Sequence, residues 1–193
     1  MSISLVLMIS GQSKRMGAID KRFLLFGGKP LYQKAIDLIT KFPLEPIVVS
    51  DHTKILSYGR KKGCIAIRNR KPEEGQSTSI GLGVSAAKPT NGLMFLTCDQ
   101  VFLSPKTIQQ MVETYEKNPI LTIPYYGGKR GGPMVFPPSY RQQLQRLQGD
   151  GGGKKLTMDK TFQRVEIPRP IESIDIDTLE EYRRWKPWQH RSS

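Results

Sequence analysis

The chain has 193 residues, 37% of them hydrophobic, and a net charge of +13, which is typical of one compact domain over residues 1–193 with a basic tail at 183–193. No apolar run approaches the roughly 20 residues of a membrane span, and no basic stretch precedes the first apolar run, so we expect neither a membrane segment nor a signal peptide. Lysine and arginine are scattered rather than gathered in a stripe, which favours a small polyanion such as a nucleotide over a nucleic acid.

Short apolar runs alternate with helical patterns along the chain. In chain order, the predicted strands are Leu5–Ile9 within the apolar run Ile3–Ile9, Pro46–Ser50, Cys64–Ile67, Leu93–Thr97, Ile120–Pro124, Met134–Phe136 and Val165–Ile167. The predicted helices are Leu31–Phe42, Ser79–Ala87, Pro105–Tyr115, Tyr140–Leu147 and Leu179–Trp185. This alternation predicts an α/β fold with a mainly parallel sheet, in which ligands bind beyond the carboxyl ends of the strands.

Cysteine and histidine usage bears on metal sites and on the compartment. The two cysteines lie far apart in sequence, and the chain has only two histidines. This pattern lacks the paired ligands of a zinc site and the framework of a disulfide-rich domain. We therefore expect a cytoplasmic protein, since a reducing compartment suits such a chain.

A glycine-rich loop with cationic side chains follows the first predicted strand. It reads Gly11-Gln12-Ser13-Lys14-Arg15-Met16-Gly17, and Lys21 comes four residues later. Glycine lets the backbone approach phosphate oxygens, which loop N–H groups, Ser13 and the cations can then bind. A P-loop is excluded because Ala18 follows the second glycine, and the three-glycine dinucleotide array is absent. The loop predicts a phosphate site of a third kind; the alternative is an ordinary surface turn.

Two carboxylates are candidate ligands for the Mg²⁺ that a bound polyphosphate usually needs. Asp99 ends the apolar run 93–98, so we expect its side chain in the same crevice as the loop. Asp177 precedes the last predicted helix. Mg²⁺ takes one or two carboxylates and keeps water and phosphate in the rest of its shell. The alternatives are a turn role for Asp99 and a helix cap for Asp177.

Five further segments accompany the loop in a fixed order and carry a resemblance to a known family. They are Glu74–Ile80, Thr97–Gln100, Gly131–Phe136, Gly149–Lys154 and Asp175–Thr178. Together with the loop they resemble the motifs of nucleotidyltransferases that act on sugar phosphates or on the molybdenum cofactor, and the chain looks most like the molybdenum-cofactor cytidylyltransferases. The resemblance spans nearly the whole chain. It implies one NTP transferase domain with a three-layer α/β/α, Rossmann-like nucleotidyltransferase fold and a mixed, mostly parallel sheet.

The resemblance also implies an activity, which is transfer of CMP from CTP to the terminal phosphate of molybdopterin cofactor with release of pyrophosphate. The product would serve molybdenum hydroxylases of the xanthine dehydrogenase type, with transient contact to such an enzyme. Catalytic roles are implied for Arg15, Lys21 and Asp99, with Mg²⁺ on Asp99 and Asp177. Nucleotide contacts are implied for Ser10, Gly11, Ser13, Arg15, Lys21, Ser77 and Ser79. Contacts to the pterin substrate are implied for Gly132, Pro133, Asp150, Gly151 and Lys154.

The residue before Gly11 bears on the choice of base in the resembled group. Alanine there is typical of CTP users and glycine of GTP users, whereas this chain has Ser10. Two other departures are Val101, where the family commonly has proline, and Gly153-Lys154, where it usually has Ala-Arg. The alternatives are therefore a transferase that uses GTP or a sugar- or polyol-phosphate acceptor, and a non-catalytic carrier of molybdenum cofactor.

Overall fold

The computed structural model describes residues 2–11, 16–17, 19–158 and 160–190, in which a sheet lies between two layers of helices. In chain order the strands are β1 (Ile3–Ile9), β2 (Leu25–Phe26), β3 (Lys29–Pro30), β4 (Glu45–Ser50), β5 (Ile65–Arg68), β6 (Gly92–Thr97), β7 (Thr122–Tyr126), β8 (Lys129–Arg130), β9 (Val135–Phe136) and β10 (Gln163–Ile167). The helices are α1 (Leu31–Ile39), α2 (Thr53–Lys61), α3 (Gln76–Ala86), α4 (Pro105–Lys117), α5 (Arg141–Gln145) and α6 (Leu179–Trp185).

The main sheet is mixed and mostly parallel, as predicted. Its strand order is β10-β7-β9-β6-β1-β4-β5, with β8 added to β7, while β2 and β3 form a separate hairpin. The pairs β1/β4, β1/β6, β4/β5 and β7/β10 are parallel. Among the described residues, the antiparallel pairs of this sheet all involve the short strands β8 and β9.

Two apolar layers cover the two faces of the sheet and confirm the three-layer α/β/α fold. Alternate side chains of β1 serve the two layers, since successive residues of a strand point to opposite faces. One layer joins Leu5 and Leu7 to buried residues of α1, α2, α4 and α6. The other joins Val6 and Met8 to buried residues of α3 and α5. β1 is buried along its whole length because both of its faces are covered.

Helix α3 approaches β1 closely because a glycine lies at their contact. A Cβ placed on Gly83 would overlap the side chain of Val6, whereas one on Gly81 would meet no atom within 4 Å. The end of α3 is therefore held tightly against the centre of the sheet. Its first turn then lies beside the carboxyl ends of the central strands.

The register of the central strands brings several polar segments to one edge of the sheet. Met8 of β1 lies opposite Thr97 of β6, and Ile9 lies opposite Ser50 of β4. The residues that follow these three strands therefore meet at the same edge. Within the described part of the chain, no helix is long and apolar enough to cross a membrane.

Candidate active site

A cavity of about 500 Å³ opens beyond the carboxyl ends of β1 and β6, and we call it the nucleotide crevice. Seven of the predicted site residues line it: Ser10, Gly11, Lys21, Ser79, Asp99, Asp150 and Asp177. Five others contribute no lining atoms: Ser77, Gly132, Pro133, Gly151 and Lys154. Ser13 and Arg15, which the loop motif singles out, lie outside the described residues.

Lys21 joins the two predicted metal ligands. Its ammonium donates to Asp99 Oδ2 at 2.5 Å and to Asp177 Oδ1 at 3.0 Å, and the groups are separated by 78 and 156 positions along the chain. Burial alone would lower the pKa of Lys21, but the two carboxylates outweigh it and raise the pKa above its usual range. Two carboxylates from distant parts of the chain thus converge on one cationic group.

The carboxylates are fixed by the backbone as well as by Lys21. The Ile176 N–H donates to the carbonyl oxygen of Asp99 at 3.1 Å, and the Ile176 side chain is fully buried. Thr178, rather than Asp177, caps α6 in a capping box with Glu181. The Asp177 N–H donates to Glu181 Oε2 at 2.9 Å, while its carboxylate points to Lys21. The helix start therefore holds Asp177 without using its carboxylate as the cap.

The donor set fits a divalent cation of the magnesium type. Asp99 Oδ1 is buried and accepts no hydrogen bond from the described residues, so a lone pair stays available for a cation. Oxygen ligands from one or two carboxylates, completed by water and phosphate, are what Mg²⁺ takes in phosphate-handling sites. The described ranges hold no cluster of three or more side chains arranged to chelate a metal by themselves. The site therefore suits a cation that arrives with a phosphate ligand.

A third carboxylate lies near the pair. Asp175 is an exposed residue, but desolvation of its carboxyl group, followed by repulsion from Asp99 and Asp177, raises its pKa to about 7. A nearby cation reduces the cost of bringing such like charges together. Lys21 supplies that cation in the structure.

Arg22 closes the bottom of the crevice and was not predicted from the sequence. Its side chain is 8% exposed, and its Nε donates to Asp20 Oδ1 at 2.8 Å. Its Nη1 donates to Asp51 and, at 3.3 Å, to the carbonyl oxygen of Ile9. Arg22 thereby ties the end of β1 to the residue that follows β4. The sequence signals are Asp20 at i−2 and an aspartate directly after a predicted strand.

Ser79 presents a hydroxyl to the opposite wall of the crevice. It is 2% exposed, and its Oγ accepts from Asn69 Nδ2 at 3.0 Å. The same amide nitrogen donates to Thr78 at 2.9 Å, and Asn69 Oδ1 accepts from the Lys71 N–H. No acceptor for the Ser79 hydroxyl proton lies among the described residues, so this proton can be donated to a ligand.

Two glycine-containing loops meet at the rim of the crevice. The Ser77 N–H donates to the Gly149 carbonyl oxygen at 3.1 Å. Gly75 has φ +96°, and a Cβ there would lie 2.6 Å from Gly149 O and 2.8 Å from Asp150 N. The loop before α3 therefore touches the loop in which the pterin contacts were predicted. Ser77 takes part in this contact through its backbone.

Another predicted acceptor residue, Gly132, lies near Gln100, the residue after Asp99. The hydroxyl of Tyr126 donates to the Gly132 carbonyl oxygen at 2.7 Å, which fixes the turn before Pro133. A Cβ on Gly132 would lie 3.5 Å from Gln100 Nε2. Gln100 does not line the nucleotide crevice, and Lys154 is exposed. The structure therefore does not bring Gly132, Pro133 or Lys154 into the lining of the crevice.

Comparisons with known proteins identify a family for the sequence and match the fold to solved structures. Residues 5–165 match the family described as the MobA-like NTP transferase domain. A molybdenum cofactor guanylyltransferase of Histophilus somni (strain 2336) is 26% identical over 200 residues, which cover 96% of each chain. A solved nucleotidyl transferase from Methanothermobacter thermautotroptrophicus superposes with a TM-score of 0.82 at 20% identity and covers 100% of this chain and 99% of its own. A Mycobacterium tuberculosis H37Rv protein solved as a complex with manganese superposes with a TM-score of 0.77 at 18% identity, covering 97% of this chain and 99% of its own.

Proposed function

The chain belongs to the family of MobA-like NTP transferase domains, and on this premise we propose that it transfers CMP from CTP to the terminal phosphate of molybdopterin cofactor with release of pyrophosphate. The observation that carries the proposal is that Asp99 and Asp177 both accept hydrogen bonds from the ammonium group of Lys21 in the nucleotide crevice. The proposed acceptor is the molybdenum cofactor because a relative of similar length is named a molybdenum cofactor guanylyltransferase. Delivery of the product to a molybdenum hydroxylase is part of the proposal.

Metal binding follows from the same carboxylates. Asp99 and Asp177 would hold Mg²⁺, and the manganese complex of a structural neighbour supports use of a divalent cation. When bound, Mg²⁺ would neutralise charge on the reacting phosphate groups. The acceptor phosphate is already ionised, so the reaction needs positioning and charge neutralisation rather than a general base.

The chain's own cations would act on the triphosphate. Asp99 and Asp177, which accept from Lys21 in the structure, would hold the divalent cation, and Lys21 would donate to phosphate oxygens and to the leaving pyrophosphate. Arg15 would act beside it from the glycine-rich loop. Both cations would stabilise charge that develops on the departing oxygens.

The choice of cytosine rests on Ser10 and on the neighbouring wall. Ser10 brings a Cβ to the position where GTP users of the resembled group have glycine, which narrows the space available to a purine. The Ser10 hydroxyl lies 3.4 Å from the Val49 carbonyl oxygen, so the side chain is turned toward β4. Ser79 would donate its free hydroxyl proton to the base or the ribose. GTP is the second candidate donor, because the relative that covers 96% of this chain is named a guanylyltransferase.

The acceptor would bind on the carboxylate side of the crevice. Gly132 lies near Gln100, which follows Asp99 in sequence. Pro133, next to Gly132, is proposed to contact the acceptor as well. Asp150 lines the crevice itself. Gly151 and Lys154 follow in the same loop, where the exposed ammonium of Lys154 would meet phosphate or pterin oxygens. This arrangement would present the acceptor phosphate to the α-phosphate of the nucleotide.

The test is pyrophosphate release by the full chain with molybdenum cofactor, Mg²⁺ and each nucleoside triphosphate in turn. We expect release with CTP. Asp99→Asn should lower the rate by on the order of a hundredfold or more, because a ligand to the charge-neutralising cation is lost. Glu116→Gln, an exposed carboxylate on α4, is the matched control and should keep the full rate.

The possible outcomes separate the alternatives. Release with GTP alone would overturn the choice of CTP while leaving nucleotidyl transfer intact. Binding of molybdenum cofactor without release from any triphosphate would instead identify a non-catalytic carrier. An Asp99→Asn variant as active as Glu116→Gln would remove Asp99 from the metal site.

A further inference from the structure

A second cavity, of about 330 Å³, lies between α1 and the segment that joins β6 to α4, and we call it the α1–α4 cavity. Its floor is apolar and includes Leu7, Leu96 and Phe102, which are 0%, 2% and 3% exposed. Of the described residues, only Thr97 and Cys98 line both this cavity and the nucleotide crevice. Its volume is within the range of pockets that hold small molecules.

The mouth of the α1–α4 cavity is strongly basic. Lys29, Lys34, Lys41 and Arg169 line it, together with a single carboxylate, Asp37. Asp37 is already shared by two ammonium groups, because Lys29 lies 2.7 Å and Lys62 2.9 Å from its oxygens. Arg169 is paired with Glu172 at 3.4 Å. Asp37 therefore has little capacity left for Lys34 and Lys41, the two cations of the mouth that have no ion pair among the described residues.

Lys34 is a partly buried cation whose charge no neighbouring carboxylate neutralises among the described residues. It is half-buried, and no ion pair joins it to a carboxylate within the described ranges. Its ammonium lies 5.7 Å from the ring centroid of Phe26, which is a weak interaction compared with an ion pair. Burial, followed by the charges of Lys41 and Lys29, lowers the pKa of Lys34. The three lysines therefore repel one another over an apolar floor.

We propose that the α1–α4 cavity binds a small amphiphilic anion, with its apolar body on the floor and its anionic group between Lys34 and Lys41. An anion would relieve the repulsion among the lysines, whereas a neutral or cationic ligand of the same shape would not. The carboxylates distinguish the two sites, because Glu73, Asp99, Asp150 and Asp177 line the nucleotide crevice and, of the described residues, Asp37 is the single carboxylate that lines this cavity. The site is separate from the proposed transferase reaction and does not depend on it.

The test uses anilinonaphthalene sulfonate, an aromatic body with one anionic group, and the intact chain. Phe102 on the cavity floor contacts Trp185 with ring centroids 5.5 Å apart, so tryptophan lies close enough to transfer energy to a bound probe and report its binding. Competitors and variants then locate the probe. We expect one bound probe per chain. Decanoate should displace it, and decylamine, with the same apolar tail and opposite charge, should not.

Two matched charge variants locate the anionic group. Lys34→Gln combined with Lys41→Gln should weaken probe binding about tenfold or more, the loss expected for charge-assisted contacts. Lys61→Gln combined with Lys117→Gln removes the same charge from exposed positions on α2 and α4 and should change binding by less than about twofold. Ala35→Leu, which fills the cavity from α1, should abolish binding without the loss of any charge.

Three results would overturn the proposal. Equal weakening by both charge variants would mean that net charge alone attracts the probe. Displacement by CTP or GTP without metal would place the probe in the nucleotide crevice. Displacement by decylamine as effective as that by decanoate would show that the lysines do not select the ligand.

Discussion

The contact between Gly75 and Gly149 permits a sharp test of how the nucleotide crevice is held together. Replacing Gly75 by alanine would place a Cβ 2.6 Å from Gly149 O and 2.8 Å from Asp150 N, in backbone with φ +96°. Holding a residue with a side chain in this conformation costs about 1–3 kcal/mol. The overlap also forces the two loops apart, so the hydrogen bond from the Ser77 N–H to Gly149 O is lost, at a further cost of about 1 kcal/mol.

We therefore expect Gly75→Ala to lower the free energy of unfolding by about 2–4 kcal/mol, the strain and the lost hydrogen bond together. For a chain of this size that corresponds to a fall in Tm of roughly 4–16 °C. The nucleotide KM should rise by about tenfold or more, because the two loops that line the crevice no longer keep their separation. Thermal unfolding followed by tryptophan fluorescence and the pyrophosphate assay measure the two effects.

Gly81→Ala is the matched control for this substitution. Gly81 lies within α3, the helix that begins directly after Gly75, and its new Cβ would meet no atom within 4 Å. Alanine is favoured over glycine inside a helix by about 0.5–1 kcal/mol, so this variant should be slightly more stable and keep its nucleotide KM. If Gly75→Ala proved as stable and as active as Gly81→Ala, the two loops would not be in the contact described, and the reasoning would be refuted.

The remaining predictions concern stability and thiol chemistry. Hydrogen bonds from two lysines and a tyrosine outweigh burial and lower the pKa of Asp37 to about 2, so its contribution, about 1 kcal/mol after screening, is present above pH 4 and is lost as the pH falls toward 2. In urea unfolding, Asp37→Asn should therefore have a lower free energy of unfolding than the unsubstituted chain at neutral pH, and this difference should disappear in acid. Burial raises the pKa of the Cys98 thiol to about 12 and that of Cys64 to about 11, so iodoacetamide at pH 8 should modify neither until the chain unfolds. Thr178→Ala removes the cap of α6 and should cost about 1 kcal/mol, measured against an exposed alanine substitution elsewhere.

The strands were predictable because most of them are buried apolar runs between polar segments. Helix α2 was missed, since only Ile55, Leu56 and Gly59 of its nine residues are buried and the rest resembles a polar connection. A Cβ added to Gly59 would lie 3.4 Å from the Val48 side chain, so α2 approaches β4 closely at a position that composition does not reveal. The hairpin of β2 and β3 was missed for a similar reason, because each strand has only two residues.

The position at which α3 begins explains why Ser79 lines the nucleotide crevice and Ser77 does not. The sequence predicts a helix from Ser79, with Ser77 in the preceding loop, but the helix begins at Gln76. Residues two positions apart in a helix point about 200° away from each other. Ser79 therefore faces the nucleotide crevice, and Ser77 turns away from it while its N–H meets Gly149. The role of Ser77 in nucleotide binding stays a prediction.

The carboxylate pair shows which part of a site needs the folded chain. Asp99 was predictable because it ends a buried strand, and Lys21 because it follows a phosphate loop. Asp177 lies beyond the residues matched by the family, which end at position 165. It reaches the crevice because buried Ile176 donates its N–H to the Asp99 carbonyl oxygen, which places two backbone segments that are distant in sequence side by side. One hydrogen bond and one buried side chain thus set the separation of the two carboxylates, and Lys21 then lies between charges that the sequence keeps far apart.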